Sequence, residues 1–317
     1  MSQAVVLVIG ANGQLGSVLI KELQKIHGTS NVIASDVYLN PDFEGVFELL
    51  DATDMVSINS VVKKHSVTQI YQLAAILSAK GEQHPLKTWD LNTKMMLNVF
   101  EVSRNSTVNK VFSPSSIAVY GTKAPLQNSP QSAFLNPATV YGISKAAGEN
   151  WAQYYFNKYD LDIRSIRYPG VIGYQSMPGG GTTDYAVDIY HSAVKRENYK
   201  CFLKANTKLP MVFMEDAIRA TIELMQTPKE NIKTRTSYNL GSMSLNPSEI
   251  YEAIKKQYPS FKIEYQPDFR QVIADNWPKS IDDKEARNDW GWEPKFNLKS
   301  MTSTMLEKLE QKYNKTI

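Results

Sequence analysis

A phenol and an ammonium group lie four residues apart in the segment Tyr141-Gly-Ile-Ser-Lys145. In a helix this spacing places both side chains on one face. A tyrosine with the ordinary pKa of about 10 is a poor base at neutral pH, and a nearby positive charge favours its phenolate form. The pair can therefore remove a proton from an alcohol. The alternative is a surface pair on an amphipathic helix.

Hydroxyl side chains precede this pair, in the segment Ser113-Pro-Ser115-Ser116 at the end of an apolar run. A ligand crevice opens at the carboxyl ends of the strands in a parallel sheet. A serine at such a strand end can hold a substrate hydroxyl while the phenolate takes its proton. Serines also serve ordinary turns, so the segment gains meaning from its combination with Tyr141 and Lys145.

A glycine-rich turn lies between the first apolar run and the first helical pattern. Glycine is required where the backbone turns with positive φ or approaches a diphosphate closely, and the following helix N-terminus offers free N–H groups. A plain strand-to-helix turn is the alternative. We expect the turn to bind a dinucleotide through Gly10, Asn12, Gly13, Gln14, Leu15 and Gly16.

Two acidic residues follow predicted strands. Asp36 lies twenty residues past Gly16, the separation typical of the carboxylate that binds the adenosine ribose. A carboxylate there repels a 2′-phosphate, so NAD is favoured over NADP; a solvated strand-end residue is the alternative. Asp51 is a candidate for the adenine amino group. The segment Leu73-Ala74-Ala75 ends the fourth strand with small residues that let the backbone approach the cofactor.

Strands and helices alternate around these residues. Apolar runs predict strands at 4–9, 31–35, 69–73, 110–113 and 162–168, and helical periodicity predicts helices near 17–26, 55–64, 92–104 and 141–158. This alternation predicts a doubly wound α/β fold with a parallel Rossmann sheet. Prolines and glycines then interrupt regular structure, and helical patterns return at 185–195 and 215–225. We therefore expect an NAD-binding domain at 1–169 and 212–245 and a smaller substrate-binding cap at 170–211 and 246–317.

Composition narrows the function classes. The 317 residues carry a net charge of +3 with interspersed charges, which favours neither a nucleic-acid nor a membrane partner. One cysteine, Cys201, and four scattered histidines exclude a disulfide framework and give a zinc mechanism little support, so we expect no metal. The sequence begins Met-Ser-Gln without a leader pattern, and no apolar run approaches the ~20 residues that span a bilayer. A cytoplasmic location is expected.

The order of these motifs resembles the extended branch of the short-chain dehydrogenase/reductase superfamily, which includes nucleotide-sugar epimerases and dehydratases. The resemblance covers essentially the whole chain. The segment from Val111 to Gly121 looks like that branch's strand-end serine motif, and the resemblance assigns its catalytic hydroxyl to Ser116. It also implies cofactor contacts by Ser113, by Asn92 through backbone or water beside Lys145, and by the segment Tyr168-Pro-Gly170-Val171 along the nicotinamide.

Several strings of the predicted cap, and one string of the predicted NAD-binding domain, look like the short-chain L-threonine 3-dehydrogenases. They are Leu77-Ser78-Ala79, the stretch from Pro178 to Val187, the stretch from Leu203 to Met211, the stretch from Ile273 to Pro278, and Asp289-Trp-Gly-Trp292. The resemblance implies oxidation of L-threonine by NAD to L-2-amino-3-oxobutanoate, which can go on to aminoacetone or glycine. Some members carry threonine at the Ser116 position.

The segment Gly179-Gly180-Gly181-Thr182-Thr183 precedes a predicted helix. Its N–H groups could receive a small carboxylate, and its threonines could orient a zwitterion. A flexible linker capped by a threonine is the alternative. The expected substrate contacts are Ser78, Ser116, Tyr141, Gly180, Thr182, Thr183 and Trp277.

Two other functions remain open from the sequence. A nucleotide-sugar epimerase or dehydratase would keep its NAD bound, but it needs a larger cap. A non-catalytic dinucleotide sensor usually lacks the tyrosine or the lysine, and both are present here.

Assembly can also be addressed from the sequence. The helix at Tyr141 and the helix near Asn92 carry more apolar residues than one sheet face needs, which predicts a homodimer. These residues are Trp151, Tyr154, Tyr155, Tyr159, Met95, Met96, Val99 and Phe100.

Overall fold

The computed structural model describes residues 4–314. Fourteen strands run through this part of the chain: β1 (Val6–Ile9), β2 (Val32–Asp36), β3 (Val46–Leu49), β4 (Gln69–Gln72), β5 (Lys110–Phe112), β6 (Ser115–Ser116), β7 (Asp162–Arg164), β8 (Ile166–Tyr168), β9 (Gly170–Ile172), β10 (Tyr199–Cys201), β11 (Leu209–Phe213), β12 (Tyr238–Asn239), β13 (Met243–Leu245) and β14 (Ile263–Tyr265).

Eleven helices accompany them within the same residues: α1 (Gly16–His27), α2 (Met55–His65), α3 (Ser78–Gly81), α4 (Pro85–Arg104), α5 (Val140–Tyr159), α6 (Tyr185–Val194), α7 (Met214–Gln226), α8 (Pro247–Lys255), α9 (Arg270–Asp275), α10 (Lys284–Trp290) and α11 (Leu298–Asn314). None of the helices in this part of the chain is long and apolar enough to cross a membrane.

The central sheet has six parallel strands in the order β3-β2-β1-β4-β5-β7. This is the doubly wound order: β2 and β3 are added on one side of β1, and β4, β5 and β7 are added on the other side. Strand β1 is a continuous apolar run, and β2 is buried from Val32 to Ser35, because helices cover both faces of the sheet. The predicted doubly wound fold is confirmed.

Helices on the two faces bury two apolar layers against this sheet. One layer packs α1 and α7 against it, and the other packs α2, α4 and α5. A third apolar cluster surrounds α6, α8 and α11 and includes Trp277. The predicted division into an NAD-binding domain and a cap stays a prediction, although the third cluster is built mainly from the two segments assigned to the cap.

Two element boundaries differ from the sequence prediction. The predicted strand 162–168 is interrupted at Ser165, so β7 completes the large sheet while β8 pairs with β6 and β12 in a small one. Helix α4 begins at Pro85 rather than near Asn92. Proline suits the first turn of a helix because its missing N–H would have no partner there, and the apolar periodicity begins only after this turn.

Candidate active site

Two adjacent cavities open at the carboxyl ends of the central strands, the expected ligand position of a doubly wound sheet. Their volumes are about 450 and 150 Å³, and both are lined by Leu73 and Ala75. The larger cavity extends from the end of β1 across the ends of β2 and β3. The smaller cavity lies between the sheet and the start of α6.

The glycine-rich turn forms part of the wall between the two cavities. Gly10 has φ +88°, and a Cβ atom there would lie 2.7 Å from the backbone nitrogen of Ala74. A Cβ atom on Gly16 would lie 2.2 Å from the carbonyl oxygen of Gly10. Only glycine therefore fits at these two positions. Gly10 and Gly13 line the larger cavity, and Gln14 and Leu15 line the smaller one.

Asp36 lies on the wall of the larger cavity at the end of β2. One of its carboxylate oxygens accepts the N–H of Asn12 at 3.0 Å, and the other accepts the N–H of Val37 at 2.8 Å. Asn12 thus lies beside the carboxylate without lining the cavity, and its side chain donates to the carbonyl of Tyr38. Asp51 lies on the same wall as Asp36.

Asn92 acts on the backbone that separates the cavities. Its side-chain oxygen accepts the N–H of Ile76 at 2.9 Å, and its side-chain nitrogen donates to the carbonyl of the same residue at 3.1 Å. The amide is thus used to hold the segment after β4, where Ala74 and Ala75 line the larger cavity. Asn92 and Ser113 both line a further small cavity beside Lys145.

The predicted catalytic residues meet on the wall of the smaller cavity. The hydroxyl of Ser116 forms a hydrogen bond with Tyr141. The ammonium of Lys145 donates to the carbonyl of Pro114 at 2.7 Å and lies 5.6 Å from the centroid of the Tyr141 ring. Thr139 caps the N-terminus of α5 through the N–H of Gly142, which fixes the helix that carries the phenol and the ammonium.

Burial dominates the acid–base properties of this group. It raises the pKa of Tyr141 to about 12, with the hydrogen bond from Ser116 acting in the opposite direction. It lowers the pKa of Lys145 to about 8. In the protein without cofactor, desolvation thus outweighs the charge of Lys145, because burial penalises both charged forms. A lowered pKa of Tyr141 beside both Lys145 and a positive nicotinamide ring stays a prediction.

Hydroxyl groups from two distant segments form the opposite wall. Ser78 and Thr182 are buried, and their hydroxyl oxygens lie 3.2 Å apart. Thr183 and Trp277 line the same cavity, as do Gly170, Val171 and Tyr168. The hydroxyl of Tyr168 bonds to Thr221 on α7, so its polar end is directed away from the cavity.

The glycine segment before α6 differs from the expectation. The N–H groups of Gly180 and Gly181 donate to one carboxylate oxygen of Asp184 at 2.8 and 2.7 Å. Gly180 is exposed and does not line the cavity. The expectation that these N–H groups are free to receive a substrate carboxylate is therefore wrong for this structure, because the first acidic side chain after the turn satisfies them.

Sequence reasoning missed several lining residues. The most important is Asp184, which lies on the wall of the smaller cavity. Burial raises the pKa of its carboxyl above the usual value, although the hydrogen bonds from the N–H groups of Gly181 and Gly180 act in the opposite direction. Its position just before α6 is typical of a helix cap, so nothing in the sequence indicated that it also lines the cavity. The other missed residues of this cavity are Leu77, Pro114, Ser115, Ile117, Pro169 and Gly181, mostly neighbours of predicted residues.

Within residues 4–314 there is no group of three or more His, Cys, Asp or Glu side chains that could hold a metal ion. Activity without a metal stays a prediction.

The comparisons with known proteins point to one family. The model of the NAD dependent epimerase/dehydratase family matches residues 6–241. A Staphylococcus aureus protein named an uncharacterized epimerase/dehydratase is 43% identical over 312 residues, 97% of each chain.

Solved structures resemble the protein over nearly its full length. A partial consensus L-threonine 3-dehydrogenase is 51% identical with a TM-score of 0.95, and it covers 96% of this chain and 99% of its own. A GalE-like L-threonine dehydrogenase from Cupriavidus necator in its holo form is 50% identical with a TM-score of 0.94 and the same coverage. A protein from a metagenome, described as a monomeric L-threonine 3-dehydrogenase, is 44% identical with a TM-score of 0.94 and the same coverage.

Proposed function

The chain belongs to the NAD-dependent epimerase/dehydratase family, and within that family we propose that it is an L-threonine 3-dehydrogenase. It would oxidise the 3-hydroxyl group of L-threonine to give L-2-amino-3-oxobutanoate, with NAD as the hydride acceptor. The observation that carries the proposal is one small cavity that combines the Ser116–Tyr141–Lys145 group with the paired hydroxyls of Ser78 and Thr182. The full-length similarity to solved L-threonine dehydrogenases supports it.

The larger cavity would hold the adenosine half of a nicotinamide dinucleotide, and the segment from Tyr168 to Val171 on the smaller cavity would lie along its nicotinamide. The close approach of backbone at Gly10 and Gly16 leaves space that a Cβ atom would fill, and the start of α1 offers N–H groups for the diphosphate. Asp36 would bind the adenosine ribose, and its negative charge favours NAD over NADP. When bound, NAD supplies the hydride acceptor and a positive charge at the nicotinamide ring.

Three side chains would carry the proton chemistry. Tyr141 as phenolate takes the proton of the 3-hydroxyl group at its Oη atom, while the Ser116 hydroxyl holds the substrate oxygen. Lys145 stabilises the phenolate through its positive charge. Because the pKa of Lys145 is about 8, Tyr141 and Lys145 together lose one of their two protons near this pH. In the productive form the remaining proton is on the lysine, and Tyr141 is the phenolate.

The cap side of the cavity suits a small zwitterion. The carboxylate of Asp184 offers a partner for the substrate ammonium, and the hydroxyls of Ser78, Thr182 and Thr183 can bind the substrate carboxylate. Trp277 lies on the same wall and helps to exclude water. Gly180 acts indirectly, because its N–H group holds Asp184 in place.

The size of the smaller cavity favours this proposal over the rival function. Its volume of about 150 Å³ is below the ~300–1,000 Å³ typical of sites for larger organic ligands, and a nucleotide sugar would need a longer groove. The test is NADH formation, followed by its near-ultraviolet absorbance, with L-threonine, other 3-hydroxy amino acids and UDP-sugars. Turnover of L-threonine supports the proposal. Conversion of a UDP-sugar without net NADH formation, and no turnover of L-threonine, would replace it by an epimerase.

We propose a cytoplasmic location and a homodimer, as the sequence predicts. The related metagenome protein described as monomeric makes the oligomeric state a direct object of measurement.

A further inference from the structure

A buried ion pair lies one helical turn beyond Lys145 on α5. The guanidinium of Arg167 donates to both carboxylate oxygens of Glu149, at 2.9 and 2.7 Å. Glu149 is 2% exposed and Arg167 is 3% exposed. Two charges removed from water in this way are stable only when paired and hydrogen-bonded.

Further hydrogen bonds surround this pair. Ser115 donates from its hydroxyl to Glu149 at 2.6 Å. Arg167 also donates to the Tyr120 hydroxyl at 2.9 Å and to the carbonyl of Gln131 at 3.0 Å. The network therefore joins α5, which carries Tyr141 and Lys145, to β6, which carries Ser116.

Glu149 and Lys145 line the same small cavity. Its volume is about 20 Å³, room for about one water molecule. The wall of this cavity also includes the polar residues Asn92, Ser113 and Ser144. The carbonyl of Pro114, which accepts the Lys145 ammonium, belongs to the residue directly before Ser115.

We infer that Glu149 is a positioning residue for the reaction, because its carboxylate neutralises Arg167 across one water-sized cavity from Lys145. Without that carboxylate, the buried charge of Arg167 would act on the ammonium of Lys145 and drive off its proton. The hydroxyl of Ser115, held by Glu149, also fixes the strand that presents the Pro114 carbonyl. The inference rests on the proposed role of Lys145.

The charged and titratable groups around the network are few in the described chain. Tyr141 and Lys145 come from α5, Arg167 comes from β8, and Tyr120 follows the turn after β6. Helix α4 contributes Asn92 and Met96, which carry no charge, and Gln72 lies at the end of β4. The charge of Arg167 is thus balanced by Glu149 alone among the groups that line or bridge this cavity.

The test measures the protonation of Lys145 directly, in the full-length protein without cofactor or substrate. A small amine-reactive reagent labels only the neutral amine, so the pH at half-maximal labelling, read by peptide mass spectrometry, reports the pKa of Lys145. In the unmodified protein we expect this midpoint near pH 8. Glu149→Gln should lower it by about one unit, because the unbalanced buried charge of Arg167 behind the cavity wall disfavours the ammonium.

Two further variants fix the sign of the effect. Arg167→Gln leaves Glu149 unbalanced and should raise the labelling midpoint. The double variant Glu149→Gln/Arg167→Gln should return it close to that of the unmodified protein. If Glu149→Gln does not fold, the rise in Arg167→Gln decides the question alone. Unchanged midpoints in the single variants would overturn the inference, as would a double variant shifted as far as Glu149→Gln.

A second buried pair provides the matched control. Asp162 and Arg164 form an equally buried ion pair, 2.7 Å apart, at the two ends of β7, and neither side chain lines the cavities of the site. Asp162→Asn should lower the thermal stability without moving the Lys145 midpoint. A midpoint moved by this control as well would show a general loosening and overturn the inference. Since labelling requires no turnover, absence of L-threonine oxidation would refute the proposed function and leave this result standing.

Discussion

At the scale of single residues, the proposed chemistry depends on the hydroxyl of Tyr141, which is hydrogen-bonded to Ser116 in the smaller cavity. Tyr141→Phe removes the proton acceptor and keeps the ring, so we expect kcat to fall by about 10²–10⁴-fold while NAD binding stays nearly intact. Steady-state rates and a cofactor titration measure both. Tyr154→Phe, an exposed position on the same helix, is the control. Near-normal turnover by Tyr141→Phe would refute the base role.

The pH dependence follows from the opposed pKa shifts of Tyr141 and Lys145. Burial raises the first to about 12 and lowers the second to about 8. Since the active form has lost one proton from the pair, the rate of L-threonine oxidation should rise with pH through about 8. The measurement is kcat from pH 6 to 10 at saturating substrates. A rate that falls over this range would show that another group is the base.

Cofactor choice should depend on one charge. Asp36→Asn keeps an oxygen for the N–H of Asn12 or Val37 but removes the negative charge that repels a 2′-phosphate. We expect the unmodified enzyme to prefer NAD strongly, and the variant to lose most of this preference, as measured by kcat/KM for both cofactors. Asp42→Asn, on an exposed residue outside the cavity, is the control. Equal efficiency of the two cofactors in the unmodified enzyme would remove Asp36 from the ribose site.

At the scale of elements, the residue that caps α6 binds the backbone N–H groups of the turn before this helix. Asp184 holds the N–H groups of Gly180 and Gly181 and also lines the substrate cavity. Asp184→Ala should therefore speed amide exchange at both glycines and raise KM for L-threonine with little change in NAD binding. Hydrogen exchange by mass spectrometry and steady-state kinetics measure the two effects.

The control for this prediction lies on the same helix. Asp188 is one turn further along α6 and does not line the cavity. Asp188→Ala should leave the glycine amides protected and KM nearly unchanged. If Asp184→Ala leaves KM for L-threonine unchanged, Asp184 does not bind the substrate ammonium.

At the scale of the whole molecule, the structure reduces the surface that predicted a dimer. Met96, Val99, Phe100 and Tyr155 are buried within the chain. Trp151, Tyr154 and Tyr159 remain exposed on α5, at 40%, 44% and 37%. The apolar outer face is therefore smaller than the sequence count implied, but it is continuous, since the ring of Tyr154 contacts those of Trp151 and Tyr159.

We expect a homodimer that uses this face. Tyr154→Glu places a charge in the contact and should give a monomer, since an unpaired charge is costly to bury. Light scattering at micromolar concentration distinguishes the two states. Val56→Glu, on an exposed apolar residue of α2, is the control and should not change the mass. A monomeric unmodified protein would contradict the prediction.

The sequence alone determined the alternation of strands and helices, the cofactor turn and the pairing of Tyr141 with Lys145. These features depend on short-range geometry: the period of a strand or helix, the freedom of glycine at Gly10, and the four-residue step along α5. Such geometry is encoded by residues close together in the chain, and it is therefore readable without a fold.

Only the tertiary structure decided how these residues behave. The raised pKa of Tyr141 arises from desolvation by surrounding segments, and the pairing of Ser78 with Thr182 joins residues more than a hundred positions apart. The same holds for the hydrogen bond from Gly180 to Asp184, for the break between two strands at Ser165 and for the buried ion pair of Glu149 with Arg167. Each depends on which segments meet in the fold. Contacts between distant segments, and the burial of single polar groups that follows from them, leave no periodic mark in a sequence, because they depend on the packing of the whole chain rather than on any local spacing.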